Sequence, residues 1–429
     1  MAGNPGERDP RLLVLGAGPA QLGLLEAARA HGIWTAVCDR NPGAPGFELA
    51  SRRCLVSTED ESAIERLAAA LDLDGLIAPG TDWPVAIAAR IAQKLGLPHP
   101  LTPATATLAT HKLRQREALA AAGVPQPRWQ AVADEIPELG APCVVKAPDR
   151  QGQKGLSLVL DDGALEDALE LARRTSRTGI ALVEEYVDGP EVTVVGFSSD
   201  GDFVPLAVTD RVTAEPPAFG VALAHVWPSR YAEAAAEVTR RAVEALGVQD
   251  GPSYTQLRIG PGGPDVIEVA ARLGGGHDAE LVEAATGVDV NWLALAAALG
   301  RRTVLDQVTG HYAERVGGAV TRFLVAPPGV LESVEVPQGL PGVLRTRIYR
   351  EPGYVLTPLR RGSDRAGAVL AVGRTREEAV ARAEAAAERV RFLTADAGAS
   401  VQAPLDGAAS STRGSPARPS ALRAPDDRR

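Results

Sequence analysis

RLLVLGAG, residues 11–18, is a short apolar run that stops in a glycine turn, and it constrains the fold more than any other stretch of the chain. Such a run reads as a buried strand. QLGLLEAARAHG and IWTAVCDRNP follow with helix and then strand character, which makes a βαβ unit. IERLAAALDLDG, LIAPGT and WPVAIAARIAQKLGLP carry the alternation to about residue 100. Strands separated by helices pair in parallel and are covered on both faces, so a Rossmann-like unit is expected over residues 11–105. Gly16, Gly18 and Gly23 fit only part of the dinucleotide fingerprint, although Asp39 ends the second strand about where a ribose-binding acid would sit. A tight turn from strand to helix needs Gly16 and Gly18 whether or not a nucleotide binds there.

After residue 105 the texture changes. HKLRQREALAAAGVP is a helix stopped by Gly123 and Pro125, and CVVKAP, IALVEEYV, EVTVVGFSSDGDFVPLAVTD and PDVIEVAAR are β-rich, one with a hairpin turn at Asp200-Gly201. AEVTRRAVEALGV is an amphipathic helix with Val238, Ala242, Val243 and Leu246 on one stripe. A further α+β stretch ends in TREEAVARAEAAAERVRFL, where Thr375 and Glu378 have capping-box spacing. The expected organisation is a flexible N-terminus (1–10), the parallel α/β unit (11–105), a central α+β unit (106–310), a third α+β unit (311–395) and a disordered tail (396–429) of Ala, Ser, Pro and Arg.

Charge and hydropathy exclude several classes. A formal charge of −9 opposes a general nucleic-acid surface, which needs a basic excess. The longest apolar runs, such as 292–299, are far short of the roughly 20 residues that span a bilayer. MAGNPGERDP lacks a signal-peptide core, so a cytoplasmic protein without a membrane partner is expected. Cys38, Cys54 and Cys143 show no metal or disulfide spacing and read as core residues.

VVKAPDRQGQKGLSLV, residues 144–159, sets Lys146 at the end of a strand ahead of a loop with Gly152 and Gly155. A strand lysine and the N–H groups of a glycine loop can together hold a polyphosphate. No GxxxxGK[ST] pattern is present, which excludes the P-loop solution. VEEYVDGPE runs an apolar strand into Glu184, Glu185, Tyr186 and Val187, with Glu191 beyond a Gly-Pro turn. PSYTQLRIGPGGPDVIEVAARLGGGH offers two strands that put Gln256 and Glu268 on neighbours, with Arg272 four residues on. Glu268 sits in the apolar run VIEVAA, where a carboxylate needs a cation. Two oxygen ligands and phosphate oxygens suffice for Mg²⁺.

The order of these segments resembles the ATP-grasp superfamily, and EVAARLGGG with the closing GSDRAGAVLAVGRTREEAVARAEAAAERV is most similar to its L-amino acid ligase branch. The resemblance covers about residues 10–395. It implies ATP-grasp central domains with a lid at about 125–190, and a C-terminal domain of amino acid ligase type. ATP and Mg²⁺, with Mn²⁺ as a substitute, are the implied cofactors. Lys112 and Lys146 match the lysines that hold ATP phosphates, and Gln151, Gly152 and Gly155 the mobile loop over them. Glu184 with the backbone of Glu185, Tyr186 and Val187 matches the adenine edge reader, and Glu191 the ribose-binding acid. Gln256 and Glu268 match metal ligands, and Arg272 with Lys146 the catalytic cations that steady the acyl phosphate. The chain departs from the pattern at Gln256, where many members have an acid, at Ala270, where an Asn ligand is common, and at Ala222, where the branch often has an acid. His225, in VALAHVWPS, resembles an element that faces the amino acid, and Gly274, Gly275, His277 and Asp82 are further substrate candidates.

The implied reaction joins a small carboxylic acid to an amine, an amino acid among them, through an acyl phosphate, and a homodimer is compatible with it. A purine-biosynthetic or carboxylase-like ligase would use the same nucleotide site. An NAD-binding oxidoreductase built on the N-terminal glycines leaves Lys146, Glu184 and Glu268 without a role.

Overall fold

Strand pairing separates the chain into a parallel part and an antiparallel part, as the change of texture near residue 105 predicts. The computed structural model describes residues 8–303, 305, 308 and 314–395; the expected tail and residues 1–7 of the expected flexible N-terminus lie outside the described residues. The first part comprises β1 (Arg11–Leu15), α1 (Leu22–Ala30), β2 (Trp34–Asp39), β3 (Arg52–Leu55), α2 (Glu61–Ala70), β4 (Gly75–Ile77) and α3 (Trp83–Leu95). Its strands pair in parallel in the order β3-β2-β1-β4. Gly16 has φ 116°, and a Cβ there would lie 2.9 Å from the Gln21 side chain, so the turn requires glycine. Asp39 does not face an open site: its carboxylate accepts from Ala17 N at 3.0 Å and Asn41 N at 2.9 Å, which ties down the two turns.

α4 (Pro103–Ala109) and α5 (Lys112–Ala121) lead to β5 (Trp129–Val132), β6 (Cys143–Lys146), β7 (Ser157–Val159), α6 (Leu165–Thr175) and β8 (Ala181–Glu185). These strands form a separate sheet, β5-β8-β6-β7, with its own small core against α6 that includes Cys143, Val145, Leu169 and Val183. It occupies the span expected of the lid.

β9 (Glu191–Ser199), β10 (Asp202–Thr213), β11 (Ala222–Trp227), α7 (Ala232–Ala245), β12 (Gly251–Gly260), β13 (Gly263–Ala270), α8 (Asp278–Thr286) and α9 (Val290–Ala298) make the central part. After it come β14 (Gly318–Leu324), β15 (Gly329–Glu335), β16 (Val343–Ile348), β17 (Val355–Leu356), β18 (Gly367–Gly373), α10 (Arg376–Arg389) and β19 (Arg391–Ala395). Here the structure differs from the expected third unit. β14, β18 and β16 extend the central sheet to eight strands, β13-β12-β9-β10-β11-β14-β18-β16, and only β17-β15-β19 forms a sheet of its own. β11 and β14 are hydrogen-bonded neighbours, so the two segments share one sheet.

The two faces of the eight-stranded sheet have different fates. Val192, Val194, Val208 and Leu257 pack with α7 and with residues of α3 and α4. On the other face Val195, Phe197 and Tyr254 pack against residues of α8 and α9, which also reach β1 and α1. That cover leaves Gln256, Arg258 and Glu268 only half-buried, which marks a cleft on this face. No single described helix is long and apolar enough to cross a membrane; α8 and α9, set at 120° to each other, are apolar because they fill this core.

Candidate functional site

Strand register alone assembles most of the cleft. Gln256 on β12 stands directly opposite Glu268 on β13 and Thr193 on β9. Two residues along, Arg258 on β12, Glu191 on β9, Arg211 on β10, His225 on β11 and Thr321 on β14 form a second row across five strands. Alternation puts both rows on one face.

Lys112 opens α5, and its Nζ lies 2.9 Å from Glu268 Oε1 while donating to the Arg150 carbonyl at 2.8 Å. Lys146, at the end of β6, lies 2.6 Å from Glu184 Oε2. Arg272 meets Asp82 of the parallel unit at 2.6 Å, and Gln151 Oε1 accepts the Asp82 N–H at 2.7 Å. Lys112, Lys146, Arg272 and Asp82 are therefore brought to one place from four separate segments. Gly152 and Gly155 have φ 67° and 69°, with open space around Gly152, so the loop conformation needs glycine.

The electrostatics follow from burial. Burial would raise the Glu268 carboxyl, but the Lys112 ammonium beside it, with Lys146 and Arg272 further off, outweighs that and holds it down at about 2. Lys112 is raised: Glu268 and Asp82 overcome its desolvation. Lys146 is lowered, because desolvation, aided by Arg116 and Lys112, wins over Glu184. Arg116, Lys112, Lys146 and Arg272 thus face Glu184, Glu268 and Asp82, an excess of positive charge suited to a polyphosphate.

With the cleft described, the relatives decide the family. The L-amino acid ligase C-terminal domain 2 family matches residues 322–395. An uncharacterized protein, y4rH, of Sinorhizobium fredii is 30% identical over 346 residues, 73% of this chain and 67% of that one. A formate-dependent phosphoribosylglycinamide formyltransferase of Burkholderia cenocepacia is 27% identical over 410 residues, covering 90% of this chain and 96% of its own. The crystal structure of an L-amino acid ligase from Bacillus licheniformis superposes with a TM-score of 0.78 at 23% identity, over 91% of this chain and all of the other. The chain belongs to the ATP-grasp superfamily. Its members among these relatives are carboxylate–amine ligases, and the C-terminal match lies with the L-amino acid ligase branch.

Several expected ATP-grasp positions have partners within the protein. Glu268, expected to need a cation, has the Lys112 ammonium beside it. Glu184, expected with the adenine edge, has both oxygens held, by Lys146 and by Arg116 at 2.7 Å. Glu185 pairs with exposed Arg128 at 2.9 Å. The Tyr186 N–H donates to the Pro142 carbonyl at 3.2 Å, and the Val187 carbonyl accepts from Arg258 at 2.9 Å. Glu191, expected at a ribose, is ion-paired with Arg211 and lies 3.7 Å from Arg258.

The substrate candidates divide. His225 is buried, with Nδ1 3.3 Å from Asp278 Oδ1 in a contact lacking hydrogen-bond alignment, and burial lowers it to about 4, so its ring is neutral at pH 7. His277 Nδ1 lies 3.0 Å from Glu280 and Nε2 2.5 Å from the Tyr349 hydroxyl, so both ring nitrogens have partners inside the protein. Gly274 and Gly275 allow close approach, because a Cβ on Gly274 would overlap the Asp278 carboxylate and one on Gly275 would sit 3.1 Å from the Gly80 carbonyl.

Arg116, Arg211 and Arg258 escaped the sequence reading. Arg116 had a usable signal, since it follows Lys112 by four residues on one helix and so shares its face. Arg211 and Arg258 had none short of knowing the register. Among the described residues no group of three or more His, Cys, Asp or Glu could hold a metal. Gln256 opposite Glu268 nevertheless supplies two oxygen donors, which fits a hard cation that takes its other ligands from phosphate and water.

Proposed function

We propose that this ATP-grasp enzyme uses ATP and Mg²⁺ to activate a small carboxylic acid at the γ-phosphate and passes the acyl group to an amine, with an amino acid as one substrate, releasing ADP and phosphate. The observation that carries the reading is the pair of lysines, half-buried Lys112 and buried Lys146, set on carboxylates from the two sheets that wall one cleft. In the resting arrangement Glu268 and Glu184 keep both ammoniums charged and oriented; phosphate oxygens then compete for the same ammoniums. Mg²⁺, when bound, supplies charge neutralisation at the phosphate oxygens, with Glu268 and Gln256 as its protein ligands.

Arg272, fixed by Asp82, presents a guanidinium from outside the lid and is placed to stabilise the oxyanion formed when the amine attacks. Gln151 and Gln153 close the glycine loop on both sides, since Gln151 accepts from Asp82 N and Gln153 from Gly362 N at 3.1 Å, which shields the acyl group from water. On this reading residues 11–105 are a Rossmann-like acid-side domain and 106–310 the ATP-grasp body with its lid, whose central sheet the amino acid ligase segment 311–395 completes. Neutral His225 and the glycine run 274–276 border the acyl pocket, and a homodimer would be its assembly.

The span matched by the formyltransferase relative, 90% of this chain, favours a second reading in which the acid is formate and the amine is the glycyl amine of a phosphoribosylated glycinamide. One panel separates the two. Amino acids, formate, bicarbonate and other small acids are offered with ATP, Mg²⁺ and hydroxylamine, and hydroxamate, ADP and phosphate are measured. Acid-dependent ADP and phosphate with an amino acid supports the first reading and with formate the second; AMP and pyrophosphate would sink both.

A further inference from the structure

Arg116 sits one turn after Lys112 on α5 and is 2% exposed. Its guanidinium is engaged on every side. Nε lies 2.7 Å from Glu184 Oε1, Nη1 donates to the Val266 carbonyl at 2.6 Å and the Gln126 side chain at 3.1 Å, and Nη2 donates to the Ile267 carbonyl at 2.7 Å. The other oxygen of Glu184 holds Lys146 at 2.6 Å. Lys146 and Glu184 belong to the lid sheet, whereas Val266 and Ile267 are the two residues before Glu268 on β13 of the central sheet. One planar fork therefore bolts together the sheets that carry Lys146 and Glu268, which a single-point lysine could not do.

We propose that Arg116 is a positioning residue of the nucleotide-phosphate site, fixing Lys146 through Glu184 and fixing β13 through the carbonyls of Val266 and Ile267, so that Lys146 and Glu268 keep one spacing. The proposal rests on the reading that Lys146 serves the phosphates. Arg116 touches neither nucleotide nor metal in this role. Its charge also acts on Lys146, which faces Glu184 on β8, Arg116 and Lys112 on α5 and Glu268 on β13. Burial lowers Lys146, Glu184 raises it, and Arg116 and Lys112 lower it. Removing the Arg116 charge then raises the pH at which Lys146 loses its proton, and removing the Glu184 charge lowers it. A purely structural role predicts no such opposition.

The test measures MgADP binding to the full chain by calorimetry from pH 7 to 10, for wild type, Arg116→Met, Glu184→Gln and the double variant, with thermal melts to establish folding. Arg116→Met is expected to weaken MgADP about 10- to 100-fold, as loss of a supporting partner does. Its alkaline limb of binding moves up in pH while that of Glu184→Gln moves down. In the double variant the losses are not additive, because both act on Lys146. Should Arg116→Met fail to fold, the double variant, which removes opposite buried charges together, is compared with Glu184→Gln, and its alkaline limb is expected at higher pH. Wild-type affinity in Arg116→Met, limbs that move together, or full additivity overturns the proposal while leaving the phosphate site standing. Wild type that binds no MgADP overturns the underlying reading, and the proposal with it.

Discussion

At the scale of single residues, burial decides which carboxylates and imidazoles matter. Glu268 and Lys112 form a pair with side chains 24% and 14% exposed, so Glu268→Gln leaves a mostly desolvated ammonium without its partner. The variant should melt a few degrees below wild type without ligand and gain less from Mg²⁺ and nucleotide. Lys112→Met combined with Glu268→Gln should recover part of the lost melting temperature, because neither charge is then stranded. A double variant that melts below both single ones contradicts the pairing. The pH dependence of stability has two limbs. His225 is depressed from 6.5 to about 4, so the stability of its neutral form is fully present above pH 6.5 and is lost as pH falls through 4. Glu268 is depressed from 4.5 to about 2, so its contribution is present above pH 4.5 and is lost toward pH 2. Melting curves of wild type and His225→Gln should converge between pH 7 and pH 4, since only wild type loses the histidine term; His99, also near 4, keeps some acid sensitivity in the variant. A constant offset across that range would show that His225 does not titrate there.

At the scale of elements, periodicity and turn chemistry were legible wherever the deciding contacts are local. The Asp200-Gly201 turn joins β9 to β10 with φ 53° and 90°, and the stripe of Val238, Ala242, Val243 and Leu246 on α7 is buried. Gln256 opposite Glu268 could be foreseen because a hairpin fixes its own register. Partners brought together by packing could not: Arg116 with Glu184 and Lys112 with Glu268 depend on how α5 meets the two sheets, and Glu191 reaches Arg211 only through the register shift between Pro205 and Ala207. The glycine loop was legible as a loop, but its anchors at Asp82 and Gly362 were not. The capping box on α10 formed only in half. Thr375 accepts from Glu378 N at 3.2 Å, but the Glu378 carboxylate turns to the Arg374 N–H at 2.7 Å instead of that of Thr375. Thr375→Ala should therefore cost about 1 kcal/mol in chemical denaturation, the usual loss of a helix cap. A cost near zero would mean that the hydroxyl is not the effective cap.

At the scale of the whole molecule, the distinction is between a third unit attached by a linker and one that completes a sheet. Sequence texture suggests the former, because the chain returns to α+β character after residue 311 with its own hydrophobic segments. Pairing shows the latter. β11 finds its outer partner in β14, running from Trp227 opposite Ala319 to Ala224 opposite Arg322. The side chains behind that edge share one core: Ala224 and Val226 pack with Val320, Val369 and Ala371 and with Ala379, Ala383 and Ala386 of α10. Arg376 adds a tie from the same helix, meeting Asp210 of β10 at 2.6 Å. A chain ending at Gly317 would keep the lid, Lys112, Lys146, Glu268 and Arg272, so a linked-unit architecture predicts a folded protein that still binds MgADP. The continuous sheet predicts something else. Truncation would bare the six-residue β11 edge, an invitation to intermolecular pairing, and uncover the apolar patch of Ala224 and Val226. It would also remove Phe323 from the ring of His225, whose centroid lies 5.8 Å away. The shortened chain should therefore express mainly as aggregate, and any soluble fraction should elute as large species and lack a cooperative melt. A monomeric, cooperatively melting product that binds MgADP like the full chain would show that the last three strands of the sheet are accessory to the cleft.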